Sequence, residues 1–220
     1  MNPRLPRALL LDLDGTLVDS RRDIAVSCNA ALAAHGVAPL EPARILTMVG
    51  DGARALVTRA LAAAGSGADV ERVLASFREH YEAHPCVHTV VCDGARELLA
   101  CGLPCAVLTN KPREVTLRLL DALALSPLVA AVWAGEGPLK PAPDGVLALC
   151  KQLGVLPAET WVVGDGPQDV GAGRAAGAFT VAVINDDSIG DRAAVLAAGP
   201  DRVVGSLREV AVLATSSRPL

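Results

Sequence analysis

The chain has 220 residues and a formal net charge of −4; 51% of its residues are hydrophobic, but only 2% are aromatic. This length predicts one α/β domain, or a core domain with a smaller insertion, and an interior built from Ala, Val and Leu favours α/β over a sandwich. The acidic balance and the scattered arginines give no broad basic surface, which excludes nucleic acid as an expected partner.

No segment approaches the roughly eighteen apolar residues of a membrane span. The apolar run at residues 8–11 ends at Asp12 before it is long enough for a secretion signal. The six cysteines contain no CxxC pair, so reduced thiols are expected rather than a disulfide framework. These features predict a cytoplasmic protein with no membrane partner.

Short runs rich in Val and Leu alternate with helical patterns along most of the chain. Uninterrupted apolar runs of this length are typical of strands buried on both faces, and their alternation with helices predicts a parallel sheet with right-handed crossovers. The predicted strands are residues 8–12, 104–109, 129–133, 160–163, 180–184 and, more weakly, 202–204. The predicted helices are residues 94–101, 112–123, 142–153, 169–176, 192–198 and 206–213.

The interval from residue 20 to residue 88 breaks this rhythm, because it has helical patterns and no convincing strand. The helical patterns cover residues 23–35, 44–48, 52–64 and 69–84, with Gly and Pro between them. The simplest interpretation is a helical insertion between the first and second strands.

Two acids follow the first predicted strand in the segment Asp12-Leu13-Asp14-Gly15-Thr16. At the carboxyl end of a strand, residues two apart point to the same side, so both carboxylates face the crevice where open α/β sheets bind ligands. Two acids in one place predict a cation, and Mg²⁺ commonly binds through one or two carboxylates together with phosphate oxygens. A turn rich in Asp and Gly is the structural alternative.

Three more polar groups also follow predicted strands. Thr109 and Asn110 stand where a strand meets a helix and predict an anion site, although a helix cap explains them equally well. Lys140 can place a point charge on a phosphoryl oxygen, and the alternative is a solvated loop lysine. Asp165 can complete a cation site, whereas Asp169 near a helix start has capping as its alternative.

Together, these four groups resemble the motifs of the haloacid dehalogenase superfamily of phosphohydrolases, and the phosphoglycolate phosphatase-like branch is the nearest. The resemblance covers nearly the whole chain and has the family's order and spacing at residues 12–16, Thr109, Lys140 and residues 164–169. It implies a Rossmann-like core of residues 1–19 and 89–220, with helices on both faces of a parallel sheet. Residues 20–88 would form an inserted α-helical cap domain.

The resemblance implies a Mg²⁺-dependent phosphatase that hydrolyses a small phosphate monoester through an aspartyl phosphate, with 2-phosphoglycolate as the first candidate. Asp12 would be the nucleophile, and Asp14 would protonate the leaving alkoxide and then activate water. Thr109, the amide of Asn110 and Lys140 would hold the phosphoryl oxygens.

The resemblance also implies a metal site and a substrate loop. Asp12 and Asp165 would ligate the metal through carboxylates, Asp14 would bind it through its backbone carbonyl, and Asp169 would support its shell. The loop from Val49 to Arg54 is similar to the substrate-specificity loop of related phosphatases, with a simple turn and helix start as the alternative. Its candidate contacts are Gly50, Asp51, Gly52 and Arg54.

Two other functions stay open at this stage. A phosphomutase of the same superfamily would share all four motifs, and a receiver-like phosphorylation switch would also use Asp, Mg²⁺, Thr and Lys on a parallel sheet. Receivers lack a helical insertion of this size, which disfavours the switch. The expected partner is a small phosphorylated metabolite, and the protein is expected to be a monomer or a homodimer.

Overall fold

The computed structural model describes residues 5–135, 137–185 and 192–216. In this part of the chain, eight strands and ten α-helices follow one another. The strands are β1 Ala8–Leu11, β2 Val18–Asp19, β3 Val90–Val91, β4 Cys105–Thr109, β5 Ala131–Ala134, β6 Thr160–Gly164, β7 Phe179–Val183 and β8 Arg202–Val204. The helices are α1 Arg21–Ala34, α2 Pro42–Leu46, α3 Ala53–Ala63, α4 Val70–Ala83, α5 Ala95–Leu99, α6 Arg113–Ala122, α7 Asp144–Leu153, α8 Pro167–Ala176, α9 Arg192–Ala197 and α10 Leu207–Thr215.

Six of the strands form one parallel sheet in the order β5-β4-β1-β6-β7-β8. The central strand β1 is completely buried, and its Leu10 lies opposite Ala106 of β4 and Val162 of β6. The chain fills one side of β1 with β4 and β5 before it crosses to β6 on the other side. This reversal of direction leaves a crevice at the carboxyl end of β1, where open α/β sheets bind ligands.

Helices cover both faces of the sheet. Successive side chains of a strand point to opposite sides, so each strand contributes to a core on either face. Leu9 and Leu11 of β1 belong to the larger hydrophobic core, to which α5, α6 and α10 also contribute. Leu10 faces the other way and shares a second core with Val146 of α7 and Ala172 of α8. The predicted α/β fold, a parallel sheet with helices on both faces, is confirmed.

The four helices α1 to α4 lie between β2 and β3, two short strands that pair antiparallel through Val18 with Val91 and Asp19 with Val90. The sequence missed this pairing because each strand has two residues, too few for a periodic pattern. Within the insertion, α1 packs against α2 and α4, and α4 also packs against α3. Helix α2 begins at Pro42, two residues before the predicted start, because the first turn of a helix accepts proline.

The carboxylate of Asp23, in the first turn of α1, fastens the segment that leads from the helices back to the sheet. It accepts hydrogen bonds from the backbone N–H groups of Val87 at 3.1 Å, His88 at 2.9 Å and Thr89 at 2.9 Å. The hydroxyl of Thr89 donates a further bond at 2.7 Å. Asp23 is buried, so these donors replace the water that its charge would otherwise require.

We expect Asp23→Ala to lower the free energy of unfolding by about 3 kcal/mol, because it leaves the N–H and hydroxyl of buried Thr89, and the N–H groups of Val87 and His88, without their acceptor. Equilibrium urea unfolding followed by circular dichroism measures the change. The control is Glu79→Ala on the exposed face of α4, which should stay within about 0.5 kcal/mol of the wild type. An Asp23→Ala protein as stable as the Glu79→Ala protein would contradict this role.

Candidate active site

A cavity of about 340 Å³ opens where β1, β4 and β6 end. Its floor is formed by residues at or just after the ends of these three strands, among them Asp12, Thr109 and Asp165. Its opposite wall comes from the inserted helices, with Leu56 of α3 and Tyr81 of α4. The sheet order therefore brings three separate parts of the sequence to one place, under a helical wall.

The first motif turns sharply after β1. The N–H of Asp12 donates to Val163 of β6 at 2.9 Å, which continues the sheet pairing beyond the last residue of β1. Leu13 is completely buried, while the acids on either side of it line the cavity. Gly15 has a φ of +88°, and a Cβ there would collide with the carboxylate of Asp165. This position therefore requires glycine, which lets the first motif approach the fourth.

Lys140 is the cation at the centre of the floor, and only 3% of its side chain is exposed. Its ammonium group lies 2.7 Å from Oδ1 of Asp12 and 2.6 Å from Oδ1 of Asp169, and it donates to the carbonyl of Leu108 at 2.9 Å. Burial by itself lowers the pKa of Lys140, but the two carboxylates outweigh it and raise this pKa above its ordinary value. The lysine is therefore charged and is not a solvated loop residue.

Three carboxylates cluster beside this lysine. Asp12, Asp165 and Asp169 each place an oxygen within 4.8 Å of the others. Burial and then the charge of Asp169 raise the pKa of Asp12 well above its ordinary value, and the same two causes raise the pKa of Asp165 to about 7. A single ammonium does not balance three carboxylates, so the donor set fits a hard divalent cation with oxygen ligands.

Asp169 combines the two alternatives that the sequence left open. Its Oδ1 accepts from Lys140, while its Oδ2 accepts the N–H of Gly166 at 3.0 Å, just before α8. Pro167 is the first residue of α8, which places Asp169 in the first turn of that helix. Capping the helix therefore fixes the carboxylate beside the acidic cluster.

The second motif holds the site together through its asparagine side chain. Asn110 accepts the backbone N–H of Lys140 at 2.8 Å and donates to the carbonyl of the same residue at 3.0 Å. It also donates to the carbonyl of Gly50 at 3.1 Å, in the loop between α2 and α3. Thr109 is buried at the end of β4, where its hydroxyl accepts the N–H of Lys111 at 3.1 Å. The sequence did not predict the clamping role of Asn110.

The loop before α3 contributes to the cavity, but not through all the residues that the sequence selected. Gly50, Asp51 and Gly52 line the cavity. Arg54 is exposed and forms an ion pair with Glu71 of α4, so it is not among the lining residues. Arg59 lies in the cavity wall instead and forms an ion pair with Asp51. Arg59 is five residues after Arg54 in α3, so the two side chains lie on different faces of the helix.

Asp14 differs from the other acids, since its carboxylate is not part of the cluster of three. The ammonium of Lys111 lies 2.8 Å from Oδ1 and 3.2 Å from Oδ2 of Asp14, and the hydroxyl of Ser20 also donates to Oδ1. Lys111 in turn donates to the hydroxyl of Tyr81. Sequence reasoning missed Ser20, Tyr81 and Lys111. The only signal was the position of Lys111, directly after Thr109 and Asn110.

Comparison with known proteins agrees with this geometry. A family model described as haloacid dehalogenase-like hydrolase matches residues 6–177. A phosphoglycolate phosphatase of Chromobacterium violaceum is 38% identical over 193 residues, covering 83% of this chain and 87% of the relative. An N-acetylmuramic acid 6-phosphate phosphatase of Pseudomonas aeruginosa is 34% identical over 183 residues, with coverage of 80% and 81%.

The fold is also found in solved structures. The crystal structure of a predicted phosphoglycolate phosphatase from Haemophilus somnus has a TM-score of 0.85 and 24% identity, and the match covers 94% of this chain and 97% of that one. The chain belongs to the haloacid dehalogenase-like hydrolase family. Its relatives include phosphoglycolate phosphatases, so the resemblance seen in the sequence is confirmed. Among the described residues, no helix is both long and apolar enough to cross a membrane.

We expect Mg²⁺ to stabilise the protein, and to do so more strongly above neutral pH. In the metal-free protein, the raised pKa of Asp165 means that its contribution to stability is fully present below its ordinary pKa of about 4 and is lost as pH rises through about 7. Metal binding needs the ionised carboxylate of Asp165, so the stabilisation by Mg²⁺ increases as pH rises.

Differential scanning fluorimetry tests this expectation. Saturating Mg²⁺ should raise the melting temperature by about 5 °C at a pH of about 8 and by clearly less at a pH of about 6. Asp165→Asn should abolish the rise, whereas Asp144→Asn, at an exposed position on α7, should retain it. An equal rise in the wild type and in Asp165→Asn would show that Mg²⁺ binds elsewhere.

Proposed function

We propose that this chain is a Mg²⁺-dependent phosphatase that hydrolyses the monoester of a small metabolite, with Asp12 as the nucleophile. One observation carries the proposal: the carboxylate of Asp12 lies on the cavity floor, against the buried ammonium of Lys140 and beside two further carboxylates. A nucleophile held against an ammonium, with carboxylates beside it that could bind a divalent cation, suits a phosphate ester, because phosphoryl transfer depends mainly on positioning and charge stabilisation.

The first chemical step would transfer the phosphoryl group to Asp12. An oxygen of the Asp12 carboxylate forms a bond to phosphorus while the bond between phosphorus and the ester oxygen breaks. The leaving alkoxide takes a proton from Asp14, which lines the same cavity. In the second step, water attacks the phosphorus of the aspartyl phosphate and gives a proton to Asp14. The bond between phosphorus and the Asp12 oxygen breaks, so inorganic phosphate is released and both acids return to their starting state.

The remaining residues would hold the phosphoryl group and the metal. Thr109, the backbone amide of Asn110 and Lys140 supply hydrogen bonds and positive charge for the phosphoryl oxygens. Asp12 and Asp165 would ligate Mg²⁺, with Asp169 beside them and Asp14 through its backbone carbonyl. When bound, the cation would neutralise charge on the phosphoryl oxygens.

We also propose that residues 20–88 act as a cap over a core of residues 1–19 and 89–220. The cavity wall contributed by α3 and α4 supports this division, since closing such a wall over the floor would exclude water from the aspartyl phosphate. The loop of Gly50, Asp51 and Gly52, with Arg59 beside it, would contact the organic part of the substrate.

A small substrate is favoured by the size of the cavity, about 340 Å³, which is near the lower end for ligand pockets. The relatives include phosphoglycolate phosphatases, so 2-phosphoglycolate is the first candidate. A cytoplasmic location fits a metabolite phosphatase. We keep the expectation of a monomer or a homodimer.

A panel of phosphate monoesters, including 2-phosphoglycolate, tests the proposal. We expect Mg²⁺-dependent release of inorganic phosphate that excess EDTA abolishes. Asp12→Asn should lower kcat by at least about a thousandfold, because an amide cannot accept the phosphoryl group in a productive step. Asp144→Asn should leave kcat unchanged, since Asp144 is exposed and does not line the cavity.

The products separate the alternatives. A phosphomutase would move the phosphoryl group to another hydroxyl of the substrate and release little free phosphate, and a switch would become phosphorylated without turnover. Full activity in EDTA, or an Asp12→Asn protein as active as the wild type, would refute the proposed function.

A further inference from the structure

Lys111 is a second buried lysine at the cavity, and the proposed chemistry gives it no task. Its side chain is 3% exposed, and its ammonium lies 2.8 Å from Oδ1 of Asp14. Burial alone lowers the pKa of Lys111, but the charge of Asp14 outweighs it and raises the pKa, so the side chain is a cation. Burying a cation beside the proposed acid costs desolvation energy, so a functional reason for this pair is expected.

The contacts divide the two oxygens of Asp14 into different roles. Oδ1 accepts from both Lys111 and the hydroxyl of Ser20. In the described part of the chain, Oδ2 has a single, longer contact, to Lys111 at 3.2 Å. Oδ1 is thus the anchored oxygen, and Oδ2 is the oxygen available to carry a proton to the leaving group.

Tyr81 connects this pair to the inserted helices. Its hydroxyl accepts from the ammonium of Lys111, which also lies 4.5 Å from the centre of the tyrosine ring. Tyr81 itself is buried on α4, one turn after Phe77, with 5.6 Å between the two ring centres. The position of Lys111 therefore depends on α4 lying over the cavity.

We propose that Lys111 is a positioning residue that orients the carboxylate of Asp14 towards the leaving oxygen, and that Tyr81 makes this orientation depend on helix α4. The proposal rests on the function proposed above, because it assigns Lys111 an effect through Asp14. It predicts that, in the first step, Lys111 matters only for substrates whose leaving group needs a proton.

Two esters separate this role from others. The alkyl ester is 2-phosphoglycolate, or the fastest alkyl ester of the panel, and the aryl ester is 4-nitrophenyl phosphate, whose leaving group needs little protonation. Rapid-quench measurement of phosphate bound to the enzyme gives the rate of the first step for each ester.

Lys111→Met should slow the first step at least about tenfold with the alkyl ester and by less than about threefold with the aryl ester. In an Asp14→Asn background, Lys111→Met should cause no further loss with the alkyl ester, because the two residues act as one unit. Tyr81→Phe keeps the ring but removes the hydroxyl, and it should also lower the ratio of the alkyl rate to the aryl rate. Lys151→Met, at an exposed lysine of α7, is the control and should leave both rates unchanged.

Three results would overturn this role: equal slowing with both esters, a rise in KM with an unchanged first step, or additive losses in the Lys111 and Asp14 double variant. If Lys111→Met does not fold, Tyr81→Phe decides, since an unchanged ratio of alkyl to aryl rates contradicts the proposal. A wild type that hydrolyses both esters without covalent phosphate would refute the proposed function together with this role. A phosphorylated wild type with additive losses would refute this role alone.

Discussion

The buried ammonium of Lys140 joins two carboxylates, those of Asp12 and Asp169, that are more than 150 residues apart in sequence. Removing three charged groups from water is costly unless they are paired and hydrogen-bonded. Here the lysine also donates to a β4 carbonyl, and the side chain of Asn110 fixes the backbone of the lysine on both its donor and its acceptor. The floor of the cavity therefore depends on this one cation.

The sheet topology is what lets such a cluster form. Because β4 and β6 flank β1, the segments that follow these three strands meet at one edge. Gly15 lets the segment after β1 approach the segment after β6, because a Cβ at Gly15 would collide with Asp165. Gly164 makes room within the second of these segments, because a Cβ there would collide with Asp169. Burial and then the charge of Asp169 raise the pKa of Asp12 and of Asp165. A divalent cation with oxygen ligands would offset this crowded negative charge.

The sequence predicted those features that local patterns encode. Apolar runs between helices indicated the parallel sheet, and the polar residues after the strands indicated the floor of the site. The strands β2 and β3 were missed because two residues carry no periodicity. The roles of Lys111 and Tyr81 were missed because they arise from contact between a core loop and α4, which no local pattern records. The loop sequence also does not reveal which face of α3 meets the cavity, where Arg59 lies and the exposed Arg54 does not.

If the phosphoryl group passes through Asp12, the covalent phosphate of the intermediate lies on that residue, and its position can be measured. The Asp14→Asn enzyme, mixed with 4-nitrophenyl phosphate and Mg²⁺ and quenched in acid, should accumulate the intermediate, because its second step lacks a base. Protease digestion and mass spectrometry should locate the phosphate on Asp12, and only in samples that contain Mg²⁺. Phosphate on any other residue, or turnover by the wild type with no phosphorylated enzyme at any time, would show that Asp12 is not the nucleophile.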